Sequence, residues 1–402
     1  MSTSLFSAVE LAPRDPILGL NEAFNADTRP QKVNLGVGVY CNDDGKIPLL
    51  KAVREAERQR IEAALPRGYL PIEGIAAYDA AVQSMLFGAG SALLASGRVI
   101  TAQALGGTGA LKIGADFLKR FNGDARVLIS DPSWENHRAL FEGAGFAVGT
   151  YAYYDAATHG VNFAGMVEAL RAAAAGTIVV LHACCHNPTG VDLTADQWRE
   201  VVQVVLERRL LPFLDIAYQG FGDGIEADGA AVRLFADAGI TFFVASSFSK
   251  SFSLYGERVG ALSIVAADKD EATRVLSQLK RVIRTNYSNP PTHGGTIVAS
   301  VLTTPALRQM WEQELAEMRD RIKSMRTRLV EGLKSRGVPG DYSFVAAQRG
   351  MFSYSGLTAA QVDRLQKDFG IYAVSTGRIC VAALNSKNID YVCDAIATVV
   401  NH

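Results

Sequence analysis

Short runs of apolar, β-branched residues alternate with amphipathic stretches through the middle of the chain. The runs predict strands over Arg98–Ala104, Arg126–Ser130, Phe146–Tyr151, Thr177–Ala183, Leu211–Asp215, Thr241–Ser246 and Gly260–Val265. Between them, Gly109–Phe121 reads as a helix with Ala110, Leu111, Gly114, Phe117, Leu118 and Phe121 on one face. Thr194–Arg208 reads as another, opened by Thr194 as N-cap with Gln197 three places on. Strands alternating with helices predict an α/β fold: a mostly parallel sheet covered on both faces. In such sheets ligands collect at the carboxyl ends of the strands, so residues there are the first candidates for chemistry.

The flanks follow other patterns. Met1 to Arg14 is short and unpatterned, and reads as an arm. Asp15-Pro16 supplies an N-cap and a proline at the first helical position, which predicts a helix to about Ala26. From Pro305 to Ser335, Leu307, Met310, Trp311, Leu315, Met318, Ile322, Met325 and Leu329 recur at helical spacing and predict a long helix with a core-facing stripe. A small α/β unit follows in Met351–Tyr354, Ala359–Phe369 and Ile379–Ala383. There is no internal repeat or low-complexity tract.

With 402 residues the chain is long enough for two structural units, and 40 basic against 41 acidic residues leave a net charge of −1. That balance removes the electrostatic case for a nucleic acid or an acidic membrane surface as partner. Five cysteines scattered along so long a chain read as reduced thiols. With no basic leader and no apolar run long enough to span a bilayer, a cytoplasmic protein is expected.

The chemistry concentrates in Ser247-Phe248-Ser249-Lys250. A lysine closing the apolar run Ile240–Ala245 is expected to be partly desolvated, and desolvation lowers an amine's pKa towards the range where it is a nucleophile. Two hydroxyls beside it, and Arg258 in Tyr255-Gly256-Glu257-Arg258-Val259-Gly260, suit a phosphate, which arginine can hold with two parallel hydrogen bonds. An amine beside a phosphate cradle points to pyridoxal phosphate held as a Schiff base. A serine-rich turn with a solvated lysine is the plainer alternative.

Leu211 to Tyr218 is an apolar run carrying Asp215. A buried carboxylate is costly unless paired with a cation. A protonated pyridine nitrogen would pair with it and remain an electron sink, and Tyr218 would reach the ring's phenolic oxygen. Capping of the next turn is the alternative role for Asp215. In Cys184-Cys185-His186-Asn187-Pro188-Thr189-Gly190 the proline holds Asn187 extended, with its amide able to donate to the same oxygen. By the period of two, His182, Cys184 and His186 share a strand face and superficially resemble zinc ligands, although no fourth ligand stands at a recognised spacing. Gly106-Gly107-Thr108-Gly109 joins a strand to a helix, where backbone N–H groups bind phosphate oxygens or simply make a tight turn. The loop matches neither the dinucleotide nor the nucleoside triphosphate pattern. Ser247-Phe248-Ser249-Lys250 also matches S-x-x-K of penicillin-binding enzymes, but Ser130-Asp131-Pro132 only approaches S-D-N and K-T-G is missing.

In their order and spacing, Asn187-Pro188-Thr189-Gly190, Asp215-Ile216-Ala217-Tyr218, Ser247-Phe248-Ser249-Lys250 and Arg258 resemble the class I aminotransferases of pyridoxal phosphate fold type I, in the aspartate and aromatic amino acid branch. The resemblance runs from Asn34-Leu35-Gly36-Val37-Gly38 to Ser375-Thr376-Gly377-Arg378-Ile379. It implies a large unit over 48–310 with a seven-stranded, mostly parallel sheet sandwiched by helices, a smaller α/β unit built from 15–47 and 311–402, and an arm over 1–14. Lys250 would carry the cofactor as a Schiff base and shuttle the proton. Asp215 would pair with the pyridine nitrogen, and Asn187 and Tyr218 would hydrogen-bond the ring oxygen. Trp134 would stack on the ring, with His137 and His182 nearby. Gly107, Thr108, Ser247, Ser249 and Arg258 would hold the phosphate, and Tyr69 would reach over from the second subunit of a homodimer. Arg378 would clamp the substrate α-carboxylate in a pocket with Gly38, Trp134 and Asn187. Arg284, with Arg281 as competitor, would meet a distal carboxylate across the same interface.

The implied activity is transamination between an aromatic or acidic L-amino acid (tyrosine, phenylalanine, aspartate or glutamate) and 2-oxoglutarate or another 2-oxo acid, by a ping-pong path through pyridoxamine phosphate. Tyr69-Leu70-Pro71-Ile72-Glu73-Gly74, Cys184-Cys185-His186, Ala217-Tyr218-Gln219-Gly220-Phe221-Gly222 and Gly350-Met351-Phe352-Ser353-Tyr354 are similar to bacterial aromatic (tyrosine) aminotransferases. Thr108 and Asn289 are the types found in aspartate-selective relatives, so dual use is expected, with an aspartate-selective enzyme as the alternative. A β-lyase or decarboxylase of the same fold type and a non-catalytic cofactor-binding regulator are the other classes open at this point.

Overall fold

A computed structural model describes residues 4–401. The first three residues of the expected arm, and the last residue of the expected small unit, lie outside the described residues. Seven strands, β1 to β7 in chain order, make the main sheet: Val99–Leu105, Arg126–Asp131, Ala147–Ala152, Ile178–His182, Leu211–Ile216, Phe242–Ser247 and Val259–Val265. Across the sheet they stand in the order β1-β7-β6-β5-β4-β2-β3. Neighbours pair parallel except at β7, which runs antiparallel to both β1 and β6. The strands β4, β6 and β7 are buried along their whole length, as a sheet covered on both faces requires. Each predicted strand lies within one residue of the observed one at either end.

The helices show where propensity yields to context. Ala195–Arg208 starts at the predicted capping box of Thr194 and Gln197. The helix expected from Gly109 begins instead at Gly106, so the Gly106-Gly107-Thr108-Gly109 segment is a first helical turn rather than a loop. Gly106, at φ +67°, turns the chain straight out of β1, and its N–H donates to the Arg258 carbonyl at 2.9 Å. Phe121, expected on the buried face, is 59% exposed at the helix end, with its ring against Phe117. The N-terminal helix spans Leu18–Ala26, later than Asp15-Pro16 predicts, although Asp15 still caps it by accepting the N–H groups of Ile17 and Leu18.

Pro305–Ser335 is one helix, and its predicted stripe is buried apart from Met310, which is 38% exposed at the edge of the stripe beside Lys51 and Arg54. The two ends of the chain meet where Val33–Asn34 pairs parallel with Ile371–Tyr372. Phe352–Tyr354 pairs antiparallel with Arg378–Cys380, and the strand predicted over Ile379–Ala383 gives way to a 3-10 turn at Val381. Among the described residues no helix is long and apolar enough to cross a membrane.

One backbone contact ties the sheet to the start of the Gly106–Phe121 helix, where a phosphate is expected. A Cβ added to Gly260 in β7 would lie 2.4 Å from the Gly106 carbonyl carbon and 2.8 Å from its Cα, with only backbone to give way. Overpacking of this kind typically costs about 1–3 kcal/mol. Gly260→Ala is therefore expected to lower the thermal midpoint and, by pushing the helix start away from β7, to weaken phosphate binding. Calorimetry with and without inorganic phosphate measures both effects.

Candidate active site

Parallel strands deliver their carboxyl ends to one rim, and the register places His182 on β4 beside Asp215 on β5, with Asp215 beside Ala245 on β6. The chain leaves β6 through Ser247, whose Oγ accepts the Ser249 N–H at 3.3 Å, and this tight turn carries Lys250 back over the strand ends. The Lys250 Nζ sits 4.7 Å from the centroid of the Tyr218 ring. These residues line a cavity of about 490 Å³.

Burial and charge oppose each other here. Burial pushes the Lys250 amine down to about 8; Asp215 works against that shift and Arg258 adds to it. Burial alone would raise the Asp215 carboxyl, but the hydrogen bond to His137 Nε2 at 2.9 Å and the nearby positive charge outweigh it and hold it below its ordinary range. His137 is itself fixed by Ser133 Oγ at 2.9 Å from its Nδ1. His182 lies against it, ring centroids 4.9 Å apart, and burial followed by repulsion from His137 pushes its pKa down to about 3. His182 is thus a neutral ring, and neither of its buried nitrogens has a hydrogen-bond partner.

An arginine stands at either end of this centre. At one, Arg258 donates to Ser249 Oγ at 3.4 Å and to the Tyr255 carbonyl at 2.9 Å. Glycine lets the helix start come close: a Cβ at Gly106 would meet Arg258 Nη2 at 2.5 Å, and one at Gly107 would meet Ser247 Cβ at 3.2 Å. At the other, Arg378 is buried, donating from Nη1 to Asn187 Oδ1 at 3.2 Å and from Nη2 to the Gly36 carbonyl at 2.7 Å. Its Nε is buried without a partner. Its guanidinium lies 4.4 Å from the Phe352 ring centroid, and a Cβ at Gly38 would strike the same ring at 2.6 Å.

Of the predicted site residues, Lys250, Asp215, Tyr218, Trp134, Gly107, Thr108, Asn187, Ser247, Ser249, Arg258, Gly38 and Arg378 all line this one cavity. Tyr69, 96% exposed, and Arg284, bonded to Ser288 on the surface, do not. The zinc-like set is not brought together among the described residues: His182 groups with His137 and Asp215, while Cys184 groups with Cys185 and Asp228. Sequence reasoning missed Phe352, Tyr255, Ile17 and Leu18, which also line the cavity. An apolar residue in a short strand or helix reads as core, and nothing local marks it as a wall. Tyr255 stood inside a quoted motif; its hydroxyl accepts the Tyr40 N–H at 2.8 Å.

The residues fit a phosphorylated pyridine aldehyde. A lysine of lowered pKa suits the aldehyde and a buried carboxylate suits a ring nitrogen. Hydroxyls, an arginine and a glycine-opened helix start suit the phosphate.

Residues 30–396 match the family model described as aminotransferase class I and II. The chain is 70% identical over 397 residues to an aspartate aminotransferase of Pseudomonas aeruginosa, covering 99% of this chain and 100% of that one. It is 52% identical to the aromatic-amino-acid aminotransferase of Escherichia coli, covering 98% and 100%. Among solved structures, an aromatic-amino-acid aminotransferase from Burkholderia pseudomallei covalently bound to pyridoxal phosphate superposes with a TM-score of 0.97 at 75% identity, covering 99% and 100%.

The electrostatics yield a titration test. In cofactor-free protein, the rate at which an amine-selective reagent modifies Lys250 should rise with pH to a midpoint near 8 rather than the ordinary 10.5. Asp215→Asn removes a charge that favours the protonated amine, so that midpoint should move lower still. Peptide mass spectrometry across pH measures both, and an ordinary midpoint would contradict the arrangement.

Proposed function

The chain belongs to the aminotransferase class I and II family, and from that premise we propose that it transfers the amino group of acidic and aromatic L-amino acids to a 2-oxo acid, with pyridoxal phosphate as cofactor. The observation that carries this reading is the convergence on one cavity of a lysine of lowered pKa, a buried carboxylate and an arginine with an uncommitted N–H. When bound, the cofactor supplies an electron sink beside the carbon that loses its proton.

The chain's own residues do the rest. Lys250, with a pKa near 8, has a neutral fraction at neutral pH and so can take a proton at Nζ and return it. Asp215, kept ionised by His137, favours a protonated ring nitrogen. Arg258, Ser247, Ser249, Gly107 and Thr108 hold the phosphate, Asn187 and Tyr218 the ring oxygen, and Trp134 covers the ring. Arg378 orients the α-carboxylate, steadied by Asn187 and Gly36. One substrate leaves before the next enters, which gives ping-pong kinetics.

The substrate range is read as dual. A protein named for aspartate stands at 70% identity to the chain and proteins named for aromatic amino acids at 75% and 52%, and apolar Ile17, Leu18 and Phe352 line the cavity beside Arg378. The 70% identity to an aspartate aminotransferase favours a second reading, an aspartate-selective enzyme. Specificity constants for aspartate, tyrosine and phenylalanine with 2-oxoglutarate decide between them. Formation of oxaloacetate from aspartate distinguishes either from a lyase, a decarboxylase or a regulator.

A homodimer with shared active sites is part of the proposal. Leu5, Phe6, Val9 and Leu11 in the arm, with Ile61, Leu65 and Tyr69, are large apolar or aromatic side chains left exposed. A second copy would cover them and bring its Tyr69 and Arg284 to the cavity. The division into an arm (1–14), a small unit (15–47 and 311–402) and a large unit (48–310) is likewise proposed, supported by the pairing of Val33–Asn34 with Ile371–Tyr372. The five cysteines are free thiols, which fits a cytoplasmic setting.

Arg284→Leu tests the distal-carboxylate role. Removing one partner of a desolvated charge pair typically costs a factor of roughly a hundred, so kcat/KM for aspartate should fall by about that much. Phenylalanine has no distal charge and should lose no more than about threefold. Equal losses for the two substrates would remove Arg284 from the pocket.

A further inference from the structure

Arg326, on the Pro305–Ser335 helix, is 1% exposed, yet its hydrogen bonds all go to carbonyl oxygens: Val345 at 3.0 Å, Gly350 at 2.8 Å and Phe352 at 2.5 Å. A buried cation is costly, and a methionine of similar volume would fill the same space without that cost. The three carbonyls belong to one short segment, and what that segment carries is informative.

Its end residue, Phe352, provides the ring on which the Arg378 guanidinium rests at 4.4 Å. The same ring meets Tyr218 edge-on at 5.9 Å and lies against Gly38. On its other side the segment is pressed onto the turn that holds Asn187. The Arg349 N–H donates to the Gly190 carbonyl at 2.7 Å, and a Cβ at Gly350 would lie 2.5 Å from Cys185 Cβ. A Cβ at Gly190 would lie 2.6 Å from the Phe352 carbonyl oxygen, so that contact too is backbone to backbone. Asn187 then accepts from Arg378. Two of the three supports of Arg378, the aromatic ring and the amide oxygen but not the Gly36 carbonyl, thus depend on where this segment sits, and Arg326 gathers three of its carbonyls.

We propose that Arg326 is a positioning residue for the carboxylate clamp: by drawing together the Val345, Gly350 and Phe352 carbonyls it sets the Phe352 ring under Arg378. This rests on the reading of Arg378 as the residue that binds the α-carboxylate. Arg326 touches neither substrate nor cofactor, so its effect falls on affinity for carboxylates. A purely structural Arg326 would alter stability and leave those affinities alone.

The test uses the cofactor-loaded enzyme and succinate, which has two carboxylates and no amine or keto group to react. In Arg326→Met, the succinate Kd should rise by about tenfold or more, the scale expected when a clamp moves by a fraction of an ångström. KM for aspartate and for 2-oxoglutarate should rise in step, with kcat held within about twofold. Cofactor affinity should match wild type. Arg326→Lys, which keeps a donor and the charge, should lose only about threefold. Wild-type succinate affinity in Arg326→Met, or a loss of succinate and cofactor affinity by the same factor, overturns the proposal. If Arg326→Met does not fold, a cycle of Arg326→Lys with Phe352→Leu decides. The lysine effect should vanish in the leucine background, and persistence there at full size, or no lysine effect at all, overturns the proposal. Wild-type enzyme that binds the cofactor but not succinate would instead remove the Arg378 reading, and this proposal with it.

Discussion

Everything in this molecule is arranged around holding an amine and a carboxylate together in a cavity that alone would neutralise both. Burial drives Lys250 towards its neutral form and would drive Asp215 the same way. Only the carboxylate resists, because His137 bonds it and positive charge lies nearby. The result is an ionised acid beside an amine that titrates near neutrality, which is a proton carrier next to a fixed negative charge. Neither group would behave so on an exposed loop. The parallel strands supply the geometry, since β4, β5 and β6 end side by side and deliver His182, Asp215 and Ser247 to one rim.

Anion recognition on either side depends on close backbone approach. At the Arg258 end, Gly260 against Gly106 and Gly106 against Arg258 leave no room for a single extra carbon. At the Arg378 end, Gly38 and Gly190 do the same for Phe352. A helix start binds phosphate only if its N–H groups can be reached, and a buried guanidinium binds a carboxylate only if its plane is held. Glycine at these four positions converts generic fold features into a shaped site.

Much of this was legible in the sequence, and the failures have physical causes. The strands were readable because most of them are short apolar runs bounded by polar residues or glycine, which marks their limits to within a residue. Lys250 and Asp215 were readable because a charged side chain at the end of an apolar run calls for a partner, Asn187 because the next proline holds it extended, and Arg258 because an arginine near two hydroxyls suits a phosphate. Phe352 and Leu18 were not, because an apolar wall and an apolar core share one residue vocabulary, and only tertiary placement separates them. Met310 and Phe121 erred the other way: helical periodicity places a residue on a face but cannot say where along the helix that face stops being covered. The glycine-rich segment after β1 was read as a loop joining strand to helix, either cradling phosphate or making a tight turn. Here the start of a helix gains from the glycines, since it must approach Arg258 and Ser247.

The mixed identity of the relatives has a physical reading as well. Any amino acid presents the same α-carboxylate and amine, so in the roles proposed for them Arg378, Lys250 and Asp215 serve aspartate and tyrosine equally. Selectivity has to arise at the far end of the substrate. There the cavity of one chain offers apolar Ile17 and Leu18, while Arg284 stays outside on the surface. A surface arginine is cheap to leave unpaired because water solvates it, whereas one fixed inside the cavity would have to be buried alone beneath an aromatic ring. A cation that approaches from outside can therefore meet a distal carboxylate when there is one and remain in solvent when there is not. On the proposed reading, dual use requires no compromise in the catalytic centre, only an arginine that a second copy brings to the cavity from its surface.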